Sequence, residues 1–179
     1  MYKRILLLLF FLLLSIGCSH EGNVNSYRRS NELGFYLLAD PSISAVEARQ
    51  EALSDLQLAE EPLFDLDDIE YYDWGSHRFS ISERAFIALR NVVKAHHSVS
   101  GIPFVVVVNQ QPRYLGAFWF AYSSIGPSFP SIDATHLLTD DKGNRMLIID
   151  RAWDAAYVNA RMDNEIYETL KRAHKLVGD

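Results

Sequence analysis

The chain has 179 residues, 49% of them hydrophobic, and its 17 basic and 23 acidic residues give a net charge of −6. That length fits one domain with an ample core, and an acidic chain without a basic, aromatic-interleaved stripe disfavours nucleic-acid binding. The single cysteine, Cys18, excludes an intrachain disulfide.

The first segment, MYKRILLLLFFLLLSIGCSH (1–20), has Lys3 and Arg4 as a positive start, an apolar run from Ile5 to Leu14 and a small residue at Gly17, the pattern of an export signal. The run is about half the roughly 20 residues a membrane-spanning helix needs. Leu14-Ser15-Ile16-Gly17-Cys18 resembles the lipobox of bacterial lipoproteins. That resemblance implies a signal peptide over 1–17 and acylation of Cys18 by chains such as palmitate, several of which anchor a protein stably. Ser19, the next residue, fits transfer to the outer membrane, facing the periplasm. Losing Lys3 and Arg4 from the 17 basic residues leaves 15 against 23 acidic ones, a net −8. Residues 18–33 then read as the lipidated cysteine and a polar, flexible tether, and 34–179 as a single α+β domain.

A strand is expected at 35-FYLLAD-40, stopped by Pro41, and a short helix from Ser44 to Leu56 on the spacing of Val46, Leu53 and Leu56. The acidic stretch 60–69 reads as a connection with a turn at Asp67-Asp68. Two aromatic, β-branched runs, 69-IEYYDW-74 and 77-HRFSI-81, flank Gly75-Ser76, a two-residue hairpin turn. Ser82 is a helix N-cap with Glu83 in the first turn. Phe86, Leu89 and Val93 mark the apolar face, and Gly101 and Pro103 end the helix region. The unbroken run 104-FVVVVN-109 reads as a central strand. Residues 77–109 are therefore strand, helix, strand, for which a right-handed crossover with parallel strands is expected.

After Gln110-Gln111-Pro112, 113-RYLGAFWF-120 returns as an antiparallel strand. Tyr114, Gly116, Phe118 and Phe120 share one face, and Arg113, Leu115, Ala117 and Trp119 the other, so most of these aromatics are core. The loop 122-YSSIGPSFPSI-132 offers hydroxyls on a restricted backbone, where binding residues tend to sit; short-range hydrogen bonding of its serines to the backbone is the competing explanation. Further on, 135-THLLT-139 and 145-RMLIID-150 flank a five-residue hairpin loop, 140–144. Residues 154–179 form a helix on Met162, Ile166, Leu170 and Ala173, with Lys171, Arg172, His174 and Lys175 near its negative end.

The motifs Asp68-Ile69, Tyr72-Asp73-Trp74, His77, Gly101 to Phe104, Tyr114 to Trp119 and Ser123-Ser124 resemble a domain of uncharacterised bacterial lipoproteins, over most of residues 67–176. The resemblance brings no activity. That family carries a Gly in the turn where this chain has Gln110-Gln111-Pro112. The segment order is also similar to the periplasmic head of the translocase subunit SecD, which implies a ferredoxin-like split β-α-β sheet with helices packed on one face. Fold alone carries no function.

No catalytic motif is present. Ser123-Ser124-Ile125-Gly126 is not a nucleophile elbow, and Cys18 is committed to lipid. Asp65, Asp67 and Asp68 invite comparison with a glycosidase pair, but three acids in four residues fit a solvated loop or a helix N-terminus better. His96 and His97 point about 100° apart on a helix and cannot share an ion, and Asp140-Asp141 with Asn144 lacks the ligand pattern of a calcium loop, so neither a metal nor a cofactor is expected. His77 is placed to bond a carboxylate across the turn from Asp73 and Trp74 and so fix the hairpin.

The expected function is a membrane-anchored envelope domain that binds another protein or envelope component. Trp119, Tyr122, Ser123 and Ser124 form its candidate surface, with Tyr71 or Trp74 nearby. The alternatives are a cell-wall enzyme or sugar-binding module using the acids of 65–68 and an aromatic platform, and a mainly structural or stress-related lipoprotein with no discrete ligand.

Overall fold

The computed structural model describes residues 32–96, 98–139 and 143–178. Cys18, the expected signal segment and most of the expected tether lie outside the described residues, as do His97 and Asp140 to Lys142. The fold is α+β. One sheet has five strands, β1 (Leu33–Leu37), β2 (Phe64–Asp65), β5 (Ile102–Val108), β6 (Gln111–Trp119) and β7 (Ser131–Asp133), in the order β2-β1-β5-β6-β7. The other contains β3 (Ile69–Asp73), β4 (Arg78–Ile81), β8 (Met146–Ile148) and β9 (Leu176–Val177), in the order β8-β4-β3-β9. The helices are α1 (Ala45–Ala48), α2 (Glu83–Ala95), α3 (Ala134–Thr139) and α4 (Asn164–Arg172), with a 3-10 turn at Ala160–Met162.

The segment 69–119 forms for the reasons its pattern suggests. Ser82 caps α2, its Oγ accepting from Ala85 N at 3.2 Å, and Ala85, Phe86, Leu89 and Val93 give the helix one buried stripe. All seven residues of β5 are buried. β6 runs antiparallel to it, pairing Ile102 with Phe118 at one end and Val108 with Gln111 at the other. β1 lies on β5's opposite side, with Leu33 facing Val108. The first strand thus enters the sheet at the end that carries the β5–β6 turn.

Strand, helix, strand does not make a parallel crossover here. β4 and β5 stand in different sheets, and α2 passes between them. The sheets meet through the segment after β8, which pairs with β4 and then bridges Ser131 of β7 at Asp150. Between them they enclose one core, in which Phe35, Phe64, Phe104 and Phe118 from the first pack with Tyr72, Phe79, Ile81 and Leu147 from the second. Helices also cover both faces of the larger sheet rather than one. α2, α3 and α4 contribute to the main core, whereas Ala45 and Ala48 of α1 belong to a second cluster with Val105, Val107, Leu115, Ala117 and Trp119. The cause is the alternation of β5 and β6, which are apolar on both sides and need cover on both.

Several boundaries move. β1 begins at Leu33, inside the expected tether. The helix expected over 44–56 stops at Ala48, because the chain must return beside β1, where Ala39 N donates to Gln57 O at 2.8 Å and Ala59 N to Leu37 O at 3.0 Å; thirteen helical residues would carry it about 20 Å away. The acidic connection includes a short strand, β2, that pairs with β1. The β3–β4 turn has four residues, since Asp73 pairs with Arg78. Residues 135–139 are helical rather than extended. Asp133 Oδ1 accepts from Thr135 N at 2.8 Å and His136 N at 3.3 Å, and Ala134 and Leu137 share a buried face. The last helix is confined to Asn164–Arg172, capped by Asp163 and followed by a left-handed His174 (φ 56°) that turns the chain into β9. Met162 lies outside it, exposed.

Candidate functional site

The faces of β6 divide as the alternation requires, and this fixes the fate of the aromatic run. Tyr114, Phe118 and Phe120 enter the main core, while Leu115, Ala117 and Trp119 enter the second cluster. Trp119, expected at the surface, is only 7% exposed. Its ring packs 6.0 Å from Phe129 and Nε1 donates to Ile125 O at 3.2 Å. Gly101, at φ +76°, is where the ring is seated, and a Cβ there would lie 2.6 Å from the indole. Trp119 thus forms the floor of a site rather than a protruding anchor.

Beyond it the chain is forced into a tight return. β7 runs parallel to β6, pairing Ala117 with Ser131 and Trp119 with Asp133, so residues 120–130 double back without a helix. Tyr122 is 55% exposed on this loop. Ser123 Oγ donates to Val99 O at 2.6 Å, tying the loop to the end of the α2–β5 connection, and Ser124 is exposed. The short-range backbone bonding weighed for these serines is present at Ser123, whose Oγ also accepts from Ile125 N at 3.4 Å.

A cleft of about 820 Å³ opens beside this loop, lined among others by Trp119, Pro127, Asp133, Asp150, Arg151 and Trp153. Trp153 is the most exposed large apolar side chain among the described residues, at 79%. Its indole lies against Gly126, where any Cβ would collide with the ring. Both tryptophans of the cleft are thus seated on glycines. The segment carrying Trp153 is held from behind by the Arg49–Asp154 ion pair and by Arg49 lying 5.7 Å over the Tyr157 ring. Asp133 is partly spent on capping α3. Asp150 is fixed through its backbone, which exchanges two hydrogen bonds with Ser131. Among the described residues, the side chains of Asp150 and Arg151 have no hydrogen-bond or ion-pair partner. A smaller cleft of about 350 Å³ on the other side of Asp133 and Asp150 is lined by His136, Met146 and Ile148.

Sequence reasoning missed Trp153, Asp133, Asp150 and Arg151. The signal available was a lone Trp in 150-DRAWDAAYV-158, a polar stretch without strand alternation or a helical stripe, where a large aromatic has no core to serve.

The acids of 65–68 lie elsewhere: Asp67 is exposed, while Asp65 and Asp68 are structural. Asp65 and Asp68 are buried, not solvated. Asp68 receives Ser82 Oγ at 2.6 Å and Arg84 Nη2 at 2.6 Å, so it supports the start of α2. Asp65 Oδ1 accepts from Asp67 N at 3.0 Å. Burial, and then the charge of Asp68, push the Asp65 carboxyl above its ordinary range.

His77 is buried at the hairpin but does not bond a carboxylate. Its Nδ1 meets Tyr72 Oη at 2.9 Å and its Nε2 meets Met162 Sδ at 3.1 Å, while Asp73 accepts from Ser76 N at 3.1 Å. Burial, reinforced by Arg161, pushes the imidazole down to about 4. Trp74 packs 5.2 Å from Tyr167; neither it nor Tyr71 lines the cleft. No group of three or more His, Cys, Asp or Glu that could hold a metal occurs among the described residues. No protein family model, curated protein or solved structure matches the chain.

Proposed function

We propose that this chain is a lipid-anchored lipoprotein of the bacterial envelope, held through Cys18, whose folded part binds an envelope component at the cleft between residues 121–130 and 150–158. The observation that carries the binding reading is Trp153, a large indole left 79% exposed beside a concave site. An apolar ring held in place and left uncovered is what a binding surface presents. Trp119 supplies its floor, and Tyr122, stacked 5.1 Å from Phe120, stands exposed next to Ala121 on the loop that borders the cleft. The anchor rests on the Leu14–Cys18 motif, and the likeness to bacterial lipoproteins on the motifs from Asp68 to Ser124. A relation to the ferredoxin-like arrangement rests on segment order alone, a hairpin, a helix and two strands. The wall-directed alternative gains nothing from Asp65 and Asp68, which are occupied inside the fold, and draws on the aromatic cleft instead.

The test is in-cell photo-crosslinking of the full chain with the reactive residue at Tyr122, and at Ile87 on α2 as an exposed control. The expected result is one reproducible adduct at 122 and none at 87, lost when Cys18→Ser prevents palmitate labelling and releases the protein from the membrane fraction. Equal capture at both positions, or none, removes the assigned surface. Palmitate labelling that persists in Cys18→Ser removes the anchor.

A further inference from the structure

We infer that the ligand of this cleft is an uncharged saccharide chain, a pyranoside glycan. The inference rests on the binding reading above and names its ligand class. A pyranose ring presents an apolar C–H face and an edge of vicinal hydroxyls. The cleft offers the counterpart of each. Trp153 lies flat on Gly126 with its indole otherwise open, a rigid aromatic surface that loses little freedom on contact. Asp150 and Arg151 stand beside it with their side chains unpartnered among the described residues. A carboxylate accepts two adjacent hydroxyls and a guanidinium donates to ring or hydroxyl oxygens. The volume, about 820 Å³, lies within the range of roughly 300–1,000 Å³ typical of small-molecule sites.

Other ligand classes fit less well. An extended peptide would add to a sheet edge, but the outer side of β7 is closed at Ser131, whose N–H and C=O are both taken by Asp150. An acidic polymer would meet two carboxylates, Asp133 and Asp150, against the single guanidinium of Arg151, in a chain of net charge −6. A lipid surface is flat, whereas this site is a concavity floored by Trp119 and edged by carboxylates.

The experiment is titration of the full-length chain, in a detergent without a sugar headgroup, with the hexamer of N-acetylglucosamine, cellohexaose and maltohexaose. Binding is read by calorimetry and by tryptophan fluorescence. Saturable binding of at least one oligomer is expected, weakened about tenfold or more by Trp153→Ala and several-fold by Asp150→Asn, with melting temperatures unchanged because both side chains are exposed. Binding that survives Trp153→Ala, or no binding to any of the three at millimolar concentration, overturns the inference. A specific protein adduct at Tyr122 with no saccharide binding removes the ligand class and leaves the binding reading standing. Loss of both removes both.

Discussion

His77 has its ring enclosed between Tyr72 and Met162 at a backbone φ of 52°. The Tyr72 hydroxyl is the natural donor to Nδ1, which leaves Nε2–H directed at the Met162 sulfur, a neutral tautomer with both nitrogens used. Protonation would set a cation against a hydroxyl donor, a thioether and the Arg161 charge. The folded-state value near 4 lies below the ordinary value of about 6.5. Between these pH values the unfolded chain binds a proton that the folded one does not, so stability falls as pH falls. We expect wild-type chain to lose about 2 kcal/mol from this group between pH 7 and pH 5, and His77→Asn to lack that component, in urea melts at both pH values. Equal slopes for the two proteins would show that the imidazole titrates freely. The importance of His77 was legible in the sequence because a histidine just past a hairpin turn is conspicuous. Its partners were not, because Met162 is 85 residues away and only tertiary packing brings it there.

Among elements, the β5–β6 hairpin combines strong strand pairing with an unfavourable turn. Val108 pairs with Gln111, and the two residues between them, Asn109 and Gln110, have φ of 49° and 65°. Two positive values mark the mirror-image turn that suits strand twist. Asn tolerates that conformation. Gln does so at a cost of roughly 1–2 kcal/mol, part of which a glycine would return as unfolded-chain entropy. Gln110→Gly should therefore stabilise the chain by about 0.5–1 kcal/mol in denaturant melts. A destabilised variant would mean that the Gln side chain contributes more than its backbone costs. The same hairpin shows which elements a sequence reveals. β5, β6 and α2 have runs long enough for period and caps to agree. Residues 135–139 do not, because five residues of mixed character read equally as strand or helix, and the Asp133 cap with the Ala134–Leu137 face decides the matter. The helix over 154–163 failed for the converse reason: Met162 continues a helical spacing by coincidence, while Asp163 restarts the helix as an N-cap.

At the scale of the molecule, apolar alternation on both sides of β5 and β6 makes a two-faced sheet, and its second face ends in the cleft. The tryptophans there divide the labour. Trp119→Ala should cost about 3–5 kcal/mol in a thermal or denaturant melt, as removal of a buried aromatic does. Trp153→Ala should shift stability by less than about 0.5 kcal/mol. Similar losses for both would place Trp153 in the core and remove the open surface on which the binding reading stands. A sequence distinguishes such residues only through the elements around them. Trp119 sat in a legible strand, but its depth depended on Phe129 and Gly101. The cleft itself joins the end of β6, β7 and the segment 150–158, and no local pattern relates those three. Their placement also sets a height. Leu33 and Ile102 lie at opposite ends of the sheet, about 20 Å apart along β5, and Leu33 is at the end away from the cleft. With Cys18 as the proposed anchor, the 14 residues from 19 to 32 reach at most roughly 50 Å. The protein then works as a mooring of fixed scope: it can engage a target up to about 70 Å from its bilayer, and anything beyond that layer of the envelope is out of range.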